Sequence, residues 1–231
     1  MRRRFLAAGV LLLASLQYFV CTFVVAAAWA DPAYDLFDNY ISDLGIRTCG
    51  PYAVRYVCSP LHEVMNTSLI IQGALTILAA VIGYRLIPRF RGAILTLAFV
   101  TGAGIALVGL VPGSIEGGVR AIPVHGLAAF VAVTAGDVMI VLLGLALWRV
   151  SKPGSLALIA AALVSAASMY WVTVAPHAIL GPGLPERLAI DSFFVVCAVL
   201  GVRLLVAGRR KPESAAAADA RRDEAVLALE A

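Results

Sequence analysis

The sequence predicts an all-α fold, a polytopic membrane bundle of six transmembrane helices with a folded outer loop between the first two. Three observations carry that prediction. Of 231 residues, 61% are hydrophobic and only 14% charged, against roughly a quarter charged in an ordinary soluble domain. The mean hydropathy is +0.93, so most of the surface must face lipid rather than water. The apolar residues are also gathered into six runs, each near the length of about 20 residues that a helix needs to cross a bilayer. The net charge of +4 does not indicate nucleic acid, because the basic residues fall in short groups between the apolar runs, as membrane topology places them.

Taken in order, the expected spans are Phe5–Ala30, Glu63–Tyr84, Ala93–Val111, Val124–Trp148, Leu156–Ala175 and Arg187–Ala207. The first begins like a signal peptide, with Met-Arg-Arg-Arg ahead of it and Ala28-Trp29-Ala30 resembling a cleavage site. Its apolar stretch is nevertheless well beyond the 7–15 residues of a signal core, so a retained helix is expected. Gly102-x-x-x-Ala106 in the third span and Ala157-x-x-x-Ala161-x-x-x-Ser165 in the fifth are small-residue stripes that let helix backbones approach. Gly109, Pro112 and Gly113 end the third span. No internal repeat is evident. From Gly208 the chain turns charged and Ala-rich, giving a six-helix domain over 1–207 and a mobile cytoplasmic tail over 208–231.

Orientation follows from the cations. With the N-terminus inside, the cytoplasmic segments hold Arg2, Arg3, Arg4, Arg85, Arg89, Arg91, Arg149, Lys152, Arg203, Arg209, Arg210, Lys211, Arg221 and Arg222, fourteen in all; the outer segments hold Arg47, Arg55, Arg120 and Arg187, which is four. The excess of Lys and Arg marks the cytoplasmic side, so both termini are expected there. With the Arg-, Ala- and Gly-rich composition, this points to a multi-pass protein of a bacterial inner (plasma) membrane.

The longest connection, 31–61, contains NYISDLGIRTCG. Asp31, Asp35, Asp38 and Asp43 make its start acidic, and Tyr34, Leu36, Phe37, Tyr40, Ile41 and Leu44 recur at roughly helical spacing. That pattern predicts an amphipathic segment lying on the membrane surface, with Ser42 and Asp43 bonding backbone amides two residues on to fix a turn at Gly45. Cys49 and Cys58 lie nine residues apart, with Gly50 and Pro51 able to turn the chain between them. A disulfide, free thiols and metal ligation are all open to the pair; the oxidising side of the membrane favours the disulfide. Cys21 and Cys197 fall inside spans and read as small apolar residues.

Tyr40-Ile-Ser-Asp-Leu-Gly45 after the first span, Ser59-Pro-Leu-His-Glu-Val-Met-Asn66 leading into the second, Gly102 to Pro112, and His125 at the head of the fourth together resemble a bacterial and archaeal family of six-span proteins described as domain of unknown function 998. The resemblance covers roughly residues 5–207. It implies the six-span fold and no particular activity.

Ionisable groups at membrane depth are costly and therefore functional candidates. His62, His125 and His177 all fall at the outer ends of spans; His62 and Asn66 share a helix face beside Glu63, and Asp191 lies one turn into the sixth span. With Asp43 they are candidates for an outward-facing polar pocket, Asp43 standing within reach of His62 or His125. The plainer alternative is that they hydrogen-bond the loops in place. Asp137 lies about 18 Å deeper than His125 at 1.5 Å per residue and cannot join them; it is expected to face the bundle interior and pair with Thr96, Thr101, Ser165 or Ser168.

These features point to a membrane-embedded accessory or lipid-interacting protein whose partners are membrane lipids. A small-solute transporter or a metal-dependent membrane hydrolase built on the outer His/Asp cluster is the alternative. Ser59-x-x-His62 is similar to part of a motif of ceramidase-type hydrolases, but their second paired-histidine motif is missing, as are HExxH, HxxxH and CxxC. No phosphate loop, dinucleotide fingerprint, quinone motif or haem motif is present, so no cofactor is expected. Whether the protein is an enzyme is left open.

Overall fold

The computed structural model describes residues 1–52, 55–114, 118–174 and 181–209, with 118–123 described as backbone only. His177 and the tail beyond Arg209 lie outside the described residues. Among the described residues, seven α-helices make six spans: α1 (Arg2–Ala14) and α2 (Leu16–Ala28) together form the first, followed by α3 (His62–Gly83), α4 (Arg91–Leu110), α5 (Gly118–Leu147), α6 (Lys152–Val174) and α7 (Gly183–Arg209). All six expected spans are met.

The largest differences lie at the starts, where capping chemistry rather than hydropathy sets the boundary. Helix α6 begins four residues before Leu156, because the Ser151 hydroxyl accepts the Gly154 amide at 3.2 Å and Pro153 tolerates the first turn. Helix α7 likewise begins at Gly183, with Glu186 supplying the acidic residue of its first turn. The break between α1 and α2 falls at Ser15, whose hydroxyl accepts a hydrogen bond from Gln72 Nε2 on α3 at 2.9 Å.

The spans close into a ring. Each packs on its neighbours in sequence, and α7 returns to pack on α1. The α3–α4 seam is drawn tight by glycines: a Cβ placed on Gly73 would stand 2.3 Å from the Gly102 carbonyl oxygen and 2.9 Å from Ala106 Cβ. The expected Gly102/Ala106 stripe therefore does pack. The α6 stripe needs correction. Of the expected stripe Ser165 is buried and Ala161 half-buried, but Ala157 is exposed, and Ser155, Leu158 and Ala162 complete the buried face. Between the first span and α3 runs a polar seam: Ser68 Oγ donates to Gln17 Oε1 at 2.9 Å, and Gln17 Nε2 donates to the Ser68 carbonyl at 3.1 Å. In hydrocarbon such amides must find partners within the protein.

The 29–61 connection does not form the expected amphipathic helix. Residues 34–41 run through turns, followed by one 3-10 turn at Ser42–Gly45. Short polar side chains fix the turns instead: Asp35 Oδ1 accepts the Phe37 and Asp38 amides at 2.7 and 3.1 Å, and Asn39 Oδ1 accepts the Asp35 amide at 3.0 Å. Ile41 and Leu44 are buried while Leu36 and Phe37 stay exposed. A small antiparallel hairpin follows, β1 (Gly50–Tyr52) against β2 (Arg55–Val57), with Gly50 opposite Val57. Cys49 and Cys58, flanking it, form the disulfide.

Candidate functional site

The Ser42–Gly45 turn is held on every side. Its leading amides, Ile41 and Ser42, donate to Glu186 Oε2 at the head of α7, the second at 3.3 Å. Its trailing carbonyls are taken from α3: Ser59 Oγ donates to the Leu44 oxygen at 2.7 Å and Asn66 Nδ2 to the Gly45 oxygen at 2.9 Å. A helical turn leaves amides unpaired at its start and carbonyls at its end, and here α7 satisfies the first set and the approach to α3 the second. The two sequence motifs, Tyr-Ile-Ser-Asp-Leu-Gly and Ser-Pro-Leu-His-Glu-Val-Met-Asn, are thus two halves of one contact. Gly45 has no room for a side chain, since a Cβ there would lie 2.5 Å from Asn66 Oδ1.

Asp43, at the centre of the turn, is 1% exposed, as expected of a residue that is not a free surface charge. Its partner is not a histidine. Arg55 on β2 binds it through two nearly parallel bonds, Nε to Oδ2 and Nη2 to Oδ1, both 2.6 Å, and the Tyr40 amide donates to Oδ2 at 3.0 Å. The guanidinium also lies over the Tyr40 and Tyr52 rings, 4.5 and 5.1 Å from their centroids. Burial opposes the Arg55 charge, but the hydrogen bonds and charge of Asp43 outweigh it and raise its pKa above the ordinary arginine value. Burial pushes the phenols of Tyr34, Tyr40 and Tyr52 up as well. Arg187 adds a second clamp, donating to the Leu36 carbonyl at 3.2 Å and to the Tyr34 hydroxyl.

The two described histidines serve the backbone. His62 Nδ1 pairs with the Ser59 carbonyl at 3.0 Å and His125 Nδ1 with the Val111 carbonyl at 2.9 Å. The expected Asp43–histidine pair is therefore replaced by Asp43–Arg55, because the hairpin delivers a stronger, bidentate partner. Asp191 accepts a hydrogen bond from Tyr18 Oη at 3.1 Å. Glu63 is exposed. Among the described residues, no three of His, Cys, Asp and Glu come together as metal ligands.

Among the described residues, three cavities share wall residues in series. At the loop end, about 40 Å³ is lined by Ser42, Asn66, His125 and Glu186 among apolar neighbours. Ile190 lies between this space and a second of about 30 Å³, bounded by Thr101, Asp137 and Ser165. Phe193 lies between that and a third of about 170 Å³ at the arginine-rich end. The third is walled by hydrocarbon from α1, α3, α4, α5 and α7. Of its polar groups, the Thr76 hydroxyl donates to the Gln72 carbonyl at 2.9 Å; Cys197 Sγ is the other. Of the predicted pocket residues, Asn66 and His125 share the loop-end cavity, while Asp43, His62, Glu63 and Asp191 do not line it. Asp137 does face inward, lining the second cavity together with Thr101 and Ser165.

Arg55, Glu186, Gln17 and Gln72 escaped the sequence reading. Arg55 and Glu186 flank hydrophobic stretches and read as solvated charges. The two glutamines are uncharged, yet a glutamine inside an apolar run was itself a signal of a buried partner.

Six apolar helices closed into a ring, with polar groups turned inward and toward the loop, define an integral, multi-pass membrane protein in a lipid environment. The family model for DUF998, a protein of unknown function, matches residues 12–203, and the chain belongs to that family. No curated protein and no solved structure matches it.

Proposed function

We propose that this is a lipid-interacting protein of the bacterial plasma membrane, with both termini and the 208–231 tail cytoplasmic, that takes a hydrocarbon chain of an anionic phospholipid into its ring. The 170 Å³ apolar cavity carries the reading. An apolar space of about 150 Å³ stays dry and takes up nonpolar molecules, and in a bilayer the abundant nonpolar molecule is an acyl chain. Gly83, Leu86 and Ile87 are part of its wall, next in the chain to the exposed cations Arg85, Arg89 and Arg91, which complement an anionic head group.

The loop end supports a different role. Its cavity is about 40 Å³, against the roughly 10–15 Å³ that one water requires. It suits one or two waters, so the loop is a structural lid and the outer histidines and carboxylates hold it in place.

The test is purification into lipid nanodiscs of phosphatidylcholine with and without phosphatidylglycerol, followed by native mass spectrometry. Retained phospholipid should be richer in phosphatidylglycerol than the bilayer supplied. Ala98→Phe, which fills the cavity from α4, should lose the retained lipid while remaining folded. Equal retention by a folded Ala98→Phe protein would refute the reading.

A further inference from the structure

The middle cavity is unlike the other two. It is small, deep in the membrane, and bounded by three oxygen-bearing side chains from three helices: Thr101 on α4, Asp137 on α5 and Ser165 on α6. Thr101 is 1% exposed, and its hydroxyl has no hydrogen-bond partner. Asp137 is 9% exposed. A buried hydroxyl left unpaired costs about 1–3 kcal/mol, and a membrane interior offers no bulk water to relieve it.

The hydrogen-bond inventory decides the state of the carboxyl. Ser165 has one proton, and it goes to the Ala189 carbonyl at 2.7 Å. Ser165 can therefore offer Asp137, which lines the same cavity, only a lone pair, and a hydrogen bond between them would take its proton from Asp137. The remaining wall is Ile105, Ala132, Val133, Ala189, Ile190, Phe193 and Phe194, so no cation and no second titratable group faces the carboxyl from any of the four helices around it. An ionised carboxylate there would be unpaired and desolvated, at a cost of several kcal/mol.

We propose that Asp137, Thr101 and Ser165 form a mid-membrane binding site for one proton and one water molecule. Asp137 holds the proton and donates it in a hydrogen bond to Ser165 Oγ, which donates in turn to the Ala189 carbonyl. The water occupies the cavity, donating to the carboxyl C=O and accepting from the Thr101 hydroxyl. A volume of about 30 Å³ exceeds the roughly 10–15 Å³ that one water requires, and two polar partners meet its minimum. The site is independent of lipid in the neighbouring cavity, from which Phe193 separates it.

Infrared spectroscopy of the full chain in lipid tests both halves. At pH 7 the wild-type protein should show a protonated-carboxyl C=O band that Asp137→Asn removes. Thr101→Val keeps the shape but removes the hydroxyl. It should retain that band and shift it to higher frequency, as expected of a carbonyl that has lost the hydrogen bond from water. Absence of the Asp137 band at pH 7 in folded protein would overturn the proton site. A band unmoved in folded Thr101→Val would overturn the water site. Asp137→Asn still offers an N–H to Ser165 and should fold; should it fail, the wild-type band and its position in Thr101→Val still decide the matter.

Discussion

Replacing Arg55 by methionine keeps the bulk of the side chain and removes its charge, stranding a carboxylate that is 1% exposed. Breaking one partner out of a buried ion pair costs about 3–5 kcal/mol. The lower end applies, because the Arg55 side chain keeps 14% of its exposure and the Tyr40 amide still serves Asp43 at 3.0 Å. Losing the guanidinium over two tyrosine rings adds about 0.5 kcal/mol each at a partly exposed site, for about 4 kcal/mol in all. Asp43→Asn should cost less, about 2–3 kcal/mol, because the neutral side chain can still accept from Tyr40. Hydrogen exchange across 41–46, whose amides are tied into the turn, reads local opening directly. Arg55→Met should speed it several hundredfold, since each tenfold is about 1.4 kcal/mol. The double variant should cost little more than Arg55→Met alone, as the two residues share one interaction. Strictly additive effects, or a change under threefold in Arg55→Met, would refute the claim that this pair holds the turn.

Four further outcomes are expected. Replacing Cys49 and Cys58 by serine releases a closed loop of about ten residues, which the chain-entropy relation values at roughly 2–3 kcal/mol; the loop should become sensitive to protease while the helical circular dichroism persists. Gly73→Ala should destabilise the bundle by about 1–3 kcal/mol through overpacking against the Gly102 carbonyl, measured by denaturant titration in micelles. Gly92→Ala, where a Cβ meets nothing within 4 Å, should be neutral or stabilising. For the proposed orientation, cysteines placed at the exposed positions Arg47 and Lys152 should react with an impermeant maleimide from outside the cell and only after permeabilisation, respectively.

The spans were legible because hydrocarbon imposes its own length and leaves no ambiguity about where Leu, Val and Ala must go. The Gly102/Ala106 seam was legible for a related reason, since a glycine in a membrane helix usually marks a close neighbour. The loop was not. Its apolar residues sit at helical spacing, but Asp35 and Asn39 capture nearby amides and the chain turns instead, which periodicity cannot report. The Asp43 partner was missed because the choice between Arg55 and a histidine depends on a hairpin that folds Arg55 back twelve residues. Glu186 lay 144 residues from the Ser42 amide it accepts, a contact no local pattern encodes.

The contact between α1 and α7 has a consequence for how the protein is made. Gly9 and Gly201 face each other closely, a Cβ on Gly201 standing 3.0 Å from the Gly9 carbonyl oxygen, and Arg2 Nε donates to the Gly208 carbonyl at 3.1 Å. Helix α1 thus finds its second neighbour only when α7 has been inserted. Until then Tyr18 must wait in the bilayer without Asp191, and the loop without the Glu186 carboxylate that receives its amides. Assembly therefore cannot finish span by span in the order of synthesis. Completion is a single late event, and a nascent chain cut short before α7 presents to quality-control proteases both an open flank of the first helix and an untied loop.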